Sequence, residues 1–187
     1  SGETALASEP ADTDEFLVSD AGTLKRIDYS LIKASGGLAE ADQWRITATG
    51  TGTGVFTANW ERNDTNFDKV GTGMSESSGI FTFPSTGIWQ IDFQATGKND
   101  AQTDYVSYQI QTTPDNSTYS AASTQYAACN TGNSFCDFYL SIIFDVTSTS
   151  NYKVKFSHNQ NEAGTFEKSG STSEQVTGAT FLKLGDT

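Results

Sequence analysis

The chain has 187 residues, with 23 Asp and Glu against 11 Lys and Arg, a formal net charge of −12 and a charged fraction of 18%. An acidic surface repels phosphate backbones, which argues against a nucleic-acid partner. No apolar run is long enough to cross a bilayer, so membrane insertion is not expected. Seventeen Gly, 12 Phe and 7 Tyr, with abundant Ser and Thr, suit many short strands joined by turns, and long helical periodicity is missing. No signal peptide stands at the start, but the chain begins at Ser1 rather than Met, so that absence says little about compartment.

The first predicted elements lie between Asp12 and Lys33. Glu15-Phe16-Leu17-Val18-Ser19 reads as a strand, Asp20-Ala21-Gly22 as a turn, and Thr23-Leu24-Lys25-Arg26-Ile27 as a second strand. Asp28-Tyr29-Ser30-Leu31-Ile32 is long enough for a single helical turn. A lone hairpin of this size has little core and needs partners. Ala34-Ser35-Gly36-Gly37 is a small-residue linker, so residues 1–40 form an attachment arm and residues 41–187 a separate head.

In the head, Gly50-Thr51-Gly52-Thr53-Gly54 lacks the Lys and the strand-to-helix setting of a phosphate loop and reads as a flexible connection. Asn63-Asp64-Thr65-Asn66-Phe67-Asp68 is an oxygen-rich cluster without the Gly and distal Glu of an EF-hand. Gly79-Ile80-Phe81-Thr82-Phe83 is a strand, and Pro84-Ser85-Thr86-Gly87 is turn chemistry. Trp89, Ile91, Phe93 and Ala95 then alternate with Gln90, Asp92 and Gln94, the pattern of a strand with one wet face. Val106, Tyr108 and Ile110 repeat it, followed by a turn at Pro114-Asp115-Asn116-Ser117. Cys129 and Cys136 flank the turn-like Asn130-Thr131-Gly132-Asn133-Ser134, as a loop disulfide or as two thiols in a hairpin. Phe138, Leu140, Ile142, Phe144 and Val146 share one face of the most apolar strand, while Ile143 interrupts the polar face and points to burial against a second chain or under a covering loop. Tyr152, Val154 and Phe156 give another strand, and residues 165–176 read as a Gly/Ser/Thr-rich loop. The expected core is Phe81, Trp89, Phe93, Leu140, Phe144 and Phe181.

Two resemblances follow from these residues. Phe67-Asp68-Lys69-Val70, then Gly79, Phe81, Pro84, Gly87 and Trp89, with a closing Thr180-Phe181-Leu182-Lys183-Leu184, resemble the globular head of the complement-one-q and tumour-necrosis-factor superfamily over residues 42–187. The resemblance implies an all-β antiparallel jelly-roll sandwich that assembles as a homotrimer and binds other molecules without catalysis. The family's heads sometimes bind calcium, which makes residues 63–68 the candidate cation site; no other cofactor is expected. The arm, Asp14-Glu15-Phe16-Leu17-Val18-Ser19-Asp20-Ala21-Gly22-Thr23-Leu24-Lys25-Arg26-Ile27, resembles a module of bacteriophage tail-fibre and other appendage proteins.

Catalytic constellations are poor. His158 is the single histidine, it reads as a solvated residue at a strand end, and it removes most Ser-His-Asp and Cys-His schemes. Carboxylate pairs such as Asp100 with Asp104 or Asp64 with Asp68 could face each other across a glycan, but acidic loop residues are far more often simply solvated. Asn63-Asp64-Thr65 and Asn116-Ser117-Thr118 match the glycosylation acceptor, which matters only for a chain secreted from a eukaryote.

The sequence therefore reads as a non-enzymatic bacteriophage virion structural protein, a trimeric fibre or knob head that binds a host receptor or decorates the particle. Its expected partners are two further copies of itself, other virion proteins through the arm, and a glycan or protein receptor on the host surface. The alternative is a secreted, extracellular complement-one-q-like head that binds ligands, and a glycan-degrading appendage enzyme comes third. Loops carry binding residues on a rigid scaffold. The polar loops at residues 97–104, 113–119 and 159–172 are accordingly the candidate binding surface at the end away from the arm, with Asn99, Asp100, Asp104, Asn116, Tyr119, Asn159 and Asn161 as its residues.

Overall fold

A computed structural model describes residues 8–32, 37–99, 103–129, 134–160 and 166–187. The expected linker residues Ala34, Ser35 and Gly36, and Asn130 to Asn133 of the cysteine turn, lie outside the described residues. The chain divides into two compact units, Ser1–Gly37 and Leu38–Thr187.

In the first unit, β1 (Glu15–Asp20) pairs antiparallel with β2 (Thr23–Asp28), Glu15 facing Asp28 and Asp20 facing Thr23. Ala21 and Gly22 between them have φ of 49° and 84°, the two positive angles that a tight two-residue hairpin turn requires. A single turn, α1 (Tyr29–Ile32), follows; the Tyr29 N–H donates to the Asp14 carbonyl at 2.7 Å and its ring lies 6.0 Å from that of Phe16. Arg26 pairs with Glu15, and Lys25 with Asp20, across the exposed surface. Leu17, Leu24 and Leu31 remain exposed, so the unit buries little of its apolar surface.

The second unit starts with β3 (Ala41–Ile46) and six short strands, β4 (Gly50–Thr51), β5 (Gly54–Val55), β6 (Trp60–Arg62), β7 (Lys69–Val70), β8 (Ser75–Ser77) and β9 (Ile80–Thr82). Long strands follow: β10 (Gly87–Asn99), β11 (Thr103–Thr113), β12 (Ser120–Cys129), β13 (Ser134–Val146) and β14 (Lys153–Gln160). Short β15 (Phe166–Lys168) and β16 (Gly178–Gly185) close the chain. One sheet runs β4-β15-β10-β16-β3-β6, with β13 beside β10 and β7 beside β3; the other runs β12-β11-β14-β9-β8, with β5 beside β14. Successive long strands cross between the sheets: β10 in the first, β11 and β12 in the second, β13 back in the first, β14 in the second, β16 in the first. That crossing pattern makes a jelly-roll sandwich rather than a stack of hairpins.

The two glycines of the Gly79–Gly87 motif have physical reasons. Gly79 has φ 81°, and a Cβ there would lie 2.1 Å from the Phe56 carbonyl oxygen. Gly87 has φ 140°, and a Cβ would lie 2.5 Å from the Gly185 oxygen. Both positions need the conformational freedom and the small size of glycine.

The core lies between the sheets. Phe81, Trp89, Phe93, Leu140 and Phe181 are all buried. Phe93 stacks on Phe156 at 4.4 Å, and Trp60 meets Phe81 edge-on at 4.9 Å, joining the inward faces of the two sheets. Phe144 departs from the expected core: it is only half-buried. Its strand, β13, pairs with β10 alone, so Phe144 sits at the sheet edge, its ring 5.9 Å from that of Phe83 and 5.5 Å from that of Tyr152. His158 also departs from expectation. It lies inside β14, is 1% exposed, and stacks on Phe166 at 4.7 Å.

Cys129 and Cys136 are joined by a disulfide, their Cα atoms 6.2 Å apart. Cys129 ends β12 in one sheet and Cys136 lies near the start of β13 in the other, so the bond ties the two layers at the point where the chain crosses.

Candidate binding surfaces

Strand registers fix which loops share an end of the sandwich. Ala41, at the start of β3, faces Leu182, which faces Gln90 near the start of β10; this is the end where the second unit begins. β10 finishes at Asn99 and β11 starts at Thr103, so residues 97–104 mark the far end. Val106 faces Gln160, which puts the last residues of β14 at the far end too. Thr113 faces Lys153, which puts residues 113–119 at the near end. The three loops expected to form one far surface are therefore split: β11 runs the length of the sandwich and carries residues 113–119 back to the opposite end.

Asn116 is exposed at φ 59°, in a turn organised by Asp115, whose carboxylate accepts the Thr113 hydroxyl at 2.7 Å and the Ser117 and Thr118 N–H groups at 2.9 and 2.8 Å. Those donors hold the Asp115 carboxyl well below the usual range. Tyr119 is half-buried, with the Lys155 ammonium 3.8 Å above its ring, and burial raises its hydroxyl pKa. Asn159 is an exposed residue of β14 rather than of a loop; its Oδ1 accepts the Gln160 N–H at 3.0 Å. Asn99 and Asp104 belong to β10 and β11, described in their backbone only, and Asp100 and Asn161 lie outside the described residues.

The outer face of the first sheet carries a different feature. On β13, Phe135, Tyr139 and Ile143 point outward and are 66%, 62% and 69% exposed. Ile143 faces Gln90, Tyr139 faces Gln94 and Ser141 faces Asp92. Gln90 donates to Asp92 at 2.9 Å, and the Tyr139 N–H on the strand edge donates to Gln125 Oε1 at 2.9 Å. Three large apolar side chains, spaced by Asp137 and Ser141, thus lie along the edge of this face.

A buried ionic network, which no sequence motif announced, holds β3. Asp42 is 1% exposed and accepts Arg62 Nε at 3.0 Å, Trp44 Nε1 at 2.9 Å and the Met74 N–H at 2.7 Å. Arg45, 2% exposed, donates to Glu61 through Nε and Nη2 at 3.0 and 2.9 Å and to Asn63 Oδ1 at 3.1 Å. Thr65 Oγ1 accepts from Arg45 as well, and Asp64 lies 3.8 Å away, so a guanidinium supplies positive charge to part of the oxygen cluster at residues 63–68. Among the described residues no three His, Cys, Asp or Glu side chains gather as metal ligands would.

Neither a protein-family profile nor a curated protein matches the chain. Solved structures do. Eiger TNF from S. frugiperda superimposes with a TM-score of 0.59 at 9% identity, over 79% of this chain and 93% of that one. Murine APRIL at pH 5.0 gives 0.58 at 13% identity, over 78% and 98%. At such identities the likeness defines the fold: the head is a tumour-necrosis-factor-like jelly roll.

Proposed function

We propose that the chain is a non-enzymatic binding head: a tumour-necrosis-factor-like jelly roll that assembles as a homotrimer and is carried by a hairpin arm of the tail-fibre type. On this reading it belongs to a bacteriophage virion, the arm docks on other virion proteins, and the head recognises a glycan or protein on the host surface or decorates the particle. The observation that carries the assembly is the exposed Phe135, Tyr139 and Ile143 ladder. Monomeric surfaces rarely leave such a row uncovered, and closed cyclic symmetry covers it with copies of the same chain. The arm sequence supports the viral setting. Size-exclusion chromatography with light scattering tests the assembly: three chains per particle is expected, and a clean monomer overturns it. Binding of the head to host cells, lost on exchange of the far-end loops but not of residues 113–119, tests the recognition.

One observation favours the second reading, a secreted ligand-binding head. The Cys129–Cys136 disulfide is the kind of crosslink that persists in oxidising compartments. Adhesion to bacterial cells with none to animal cells decides for the first reading; the converse decides for the second.

A further inference from the structure

A cavity of about 180 Å³ opens at the far end of the sandwich, between the 48–59 segment and β15. Its floor is apolar, from the buried Ile46 and Phe56; its walls present Thr51, Thr57 and Asn59, all exposed. Lys168 closes one side. β15 is pinned between β10 and β4, Lys168 facing Gly97 on one side and Gly50 on the other, so the backbone that carries the ammonium is fixed. The Lys168 Nζ lies 4.9 Å above the Phe56 ring, and among the described residues no carboxylate pairs with it. Strand alternation turns the neighbouring Glu167 to the opposite face.

In a chain of net charge −12, Arg45, Arg62 and Lys183 each pair with a carboxylate. Lys168, like Lys155 over the Tyr119 ring, is half-buried against an aromatic face instead, and Lys168 lines the cavity. Burial lowers its pKa, so a negative partner there regains interaction that desolvation has removed. One cation suits one negative charge. A phosphate or sulfate site gathers several N–H donors or an Arg fork, and the acidic surface repels a polyanion. The remaining polar groups are hydroxyls and a carboxamide, partners for hydroxyl and acetamido groups. The volume is below the ~300 Å³ of a drug-sized pocket, which leaves room for one ring whose C–H face meets Ile46 and Phe56.

We propose that this cavity binds a single carboxylated sugar, a uronic or sialic-acid unit, with the carboxylate on Lys168 and the ring hydroxyls on Thr51, Thr57 and Asn59. The proposal rests on the reading of the chain as a binding head and names the chemistry of its ligand.

The test uses the full chain with free glucuronate and N-acetylneuraminate as probes, and N-acetylglucosamine and acetate as controls, followed by amide NMR. The acidic sugars should shift Thr51, Thr57, Asn59 and Lys168 with millimolar affinity, at least about tenfold tighter than either control, the scale of one hydrogen bond to a charged group. Lys168→Gln should lose about tenfold and Lys168→Arg should retain most of the binding. Asn59→Asp, which tolerates the positive φ of 65° and sets a carboxylate in the wall, should lose binding even if Lys168→Gln fails to fold. A sialylated trisaccharide should bind as tightly as the free sugar if the unit is recognised at a chain end; tighter binding to hyaluronate would overturn the single-sugar assignment. Equal affinity for neutral and acidic sugars, or unchanged binding by Asn59→Asp, overturns the site. Because binding to free sugar needs neither trimer nor host cell, its failure leaves the head assignment to the scattering and adhesion measurements.

Discussion

The carboxylate of Asp42 accepts the Arg62 guanidinium at two atoms, Nε on Oδ1 at 3.0 Å and Nη2 on Oδ2 at 3.1 Å, with the Asp42 side chain 1% exposed and that of Arg62 26% exposed. Asp42 also holds the Met74 N–H and the Trp44 indole, so one carboxylate joins β3, β6 and the segment before β8. Removing one partner of a buried pair leaves the other uncompensated. Asp42→Ala is expected to cost about 3–5 kcal/mol, read as a lower urea midpoint with unchanged slope. A loss under about 1 kcal/mol, the worth of an exposed pair, would show that the network contributes no more than a surface ion pair.

His158 gives the head an acid-sensitive element. Burial depresses its pKa to about 4, the nearby Lys168 charge adds to the depression, and the hydrogen bond from Nδ1 to the Gly52 carbonyl opposes it. In the unfolded chain the group titrates near 6.5. Between these values the unfolded state binds the extra proton, so stability is complete above about pH 6.5 and falls as the pH drops toward 4. The loss is on the order of 3 kcal/mol. Denaturation midpoints measured from pH 7.5 to 4 should show this slope in the parent and a flatter one in His158→Phe. Parallel slopes would assign the acid sensitivity elsewhere.

Two phenylalanines on inward faces separate a core site from an edge site. Phe81 is fully buried and its ring meets Trp44, Trp60, Phe156 and Phe181 at 4.9–5.6 Å. Phe81→Ala should cost about 3–5 kcal/mol. Phe144, half-buried at the edge of its sheet, should cost about half of that because part of its surface already meets water. Equal costs would mean that Phe144 is covered in solution, as a neighbouring copy would cover it.

Reduction of the Cys129–Cys136 bond should lower stability by on the order of 2 kcal/mol, the entropy of closing a short loop. Because the bond joins the two sheets, the loss should appear first as faster hydrogen exchange at the ends of β12 and β13. Unchanged exchange there in Cys129→Ser/Cys136→Ser would show that the crossing is held by packing alone.

Alternation made the strands and most of the core readable: Trp89, Ile91 and Phe93 on one face and Gln90, Asp92 and Gln94 on the other needed only the two-residue period. The exceptions have causes that a period cannot carry. Phe144 obeys the alternation but occupies an edge strand, and strand order is set by pairing across the whole chain. His158 looked solvated because Ser157 and Asn159 flank it, yet β14 is an inner strand of its sheet, Phe166 of the opposite sheet stacks on the imidazole, and Ser157 is buried too. Asp42 and Arg62, twenty positions apart, form an ion pair that only the β3–β6 pairing brings together. Lys168 sat in a stretch read as loop, and its cavity is lined by the glycine-rich segment read as a mere connection.

The assembly can be probed without disturbing the fold. Ile143 is 69% exposed on the outer face of β13, opposite Gln90, so Ile143→Lys costs a monomer almost nothing. In a trimer that covers Phe135, Tyr139 and Ile143, the same change brings three lysines into the interface, where Asp145 on the same face of β13 offsets only part of the cost of burying them. Charges buried without partners are costly enough to break an interface. Light scattering at micromolar concentration should therefore fall from three times the 20.1 kDa chain mass to one, while the far-ultraviolet spectrum keeps its strand signature. Tyr126→Lys is the control: Tyr126 is 63% exposed but lies on β12, in the other sheet, and should leave the particle at three chains. If Ile143→Lys stays trimeric and Tyr126→Lys does not, the trimer forms through the second sheet; if both stay trimeric, neither of these two positions lies in the interface.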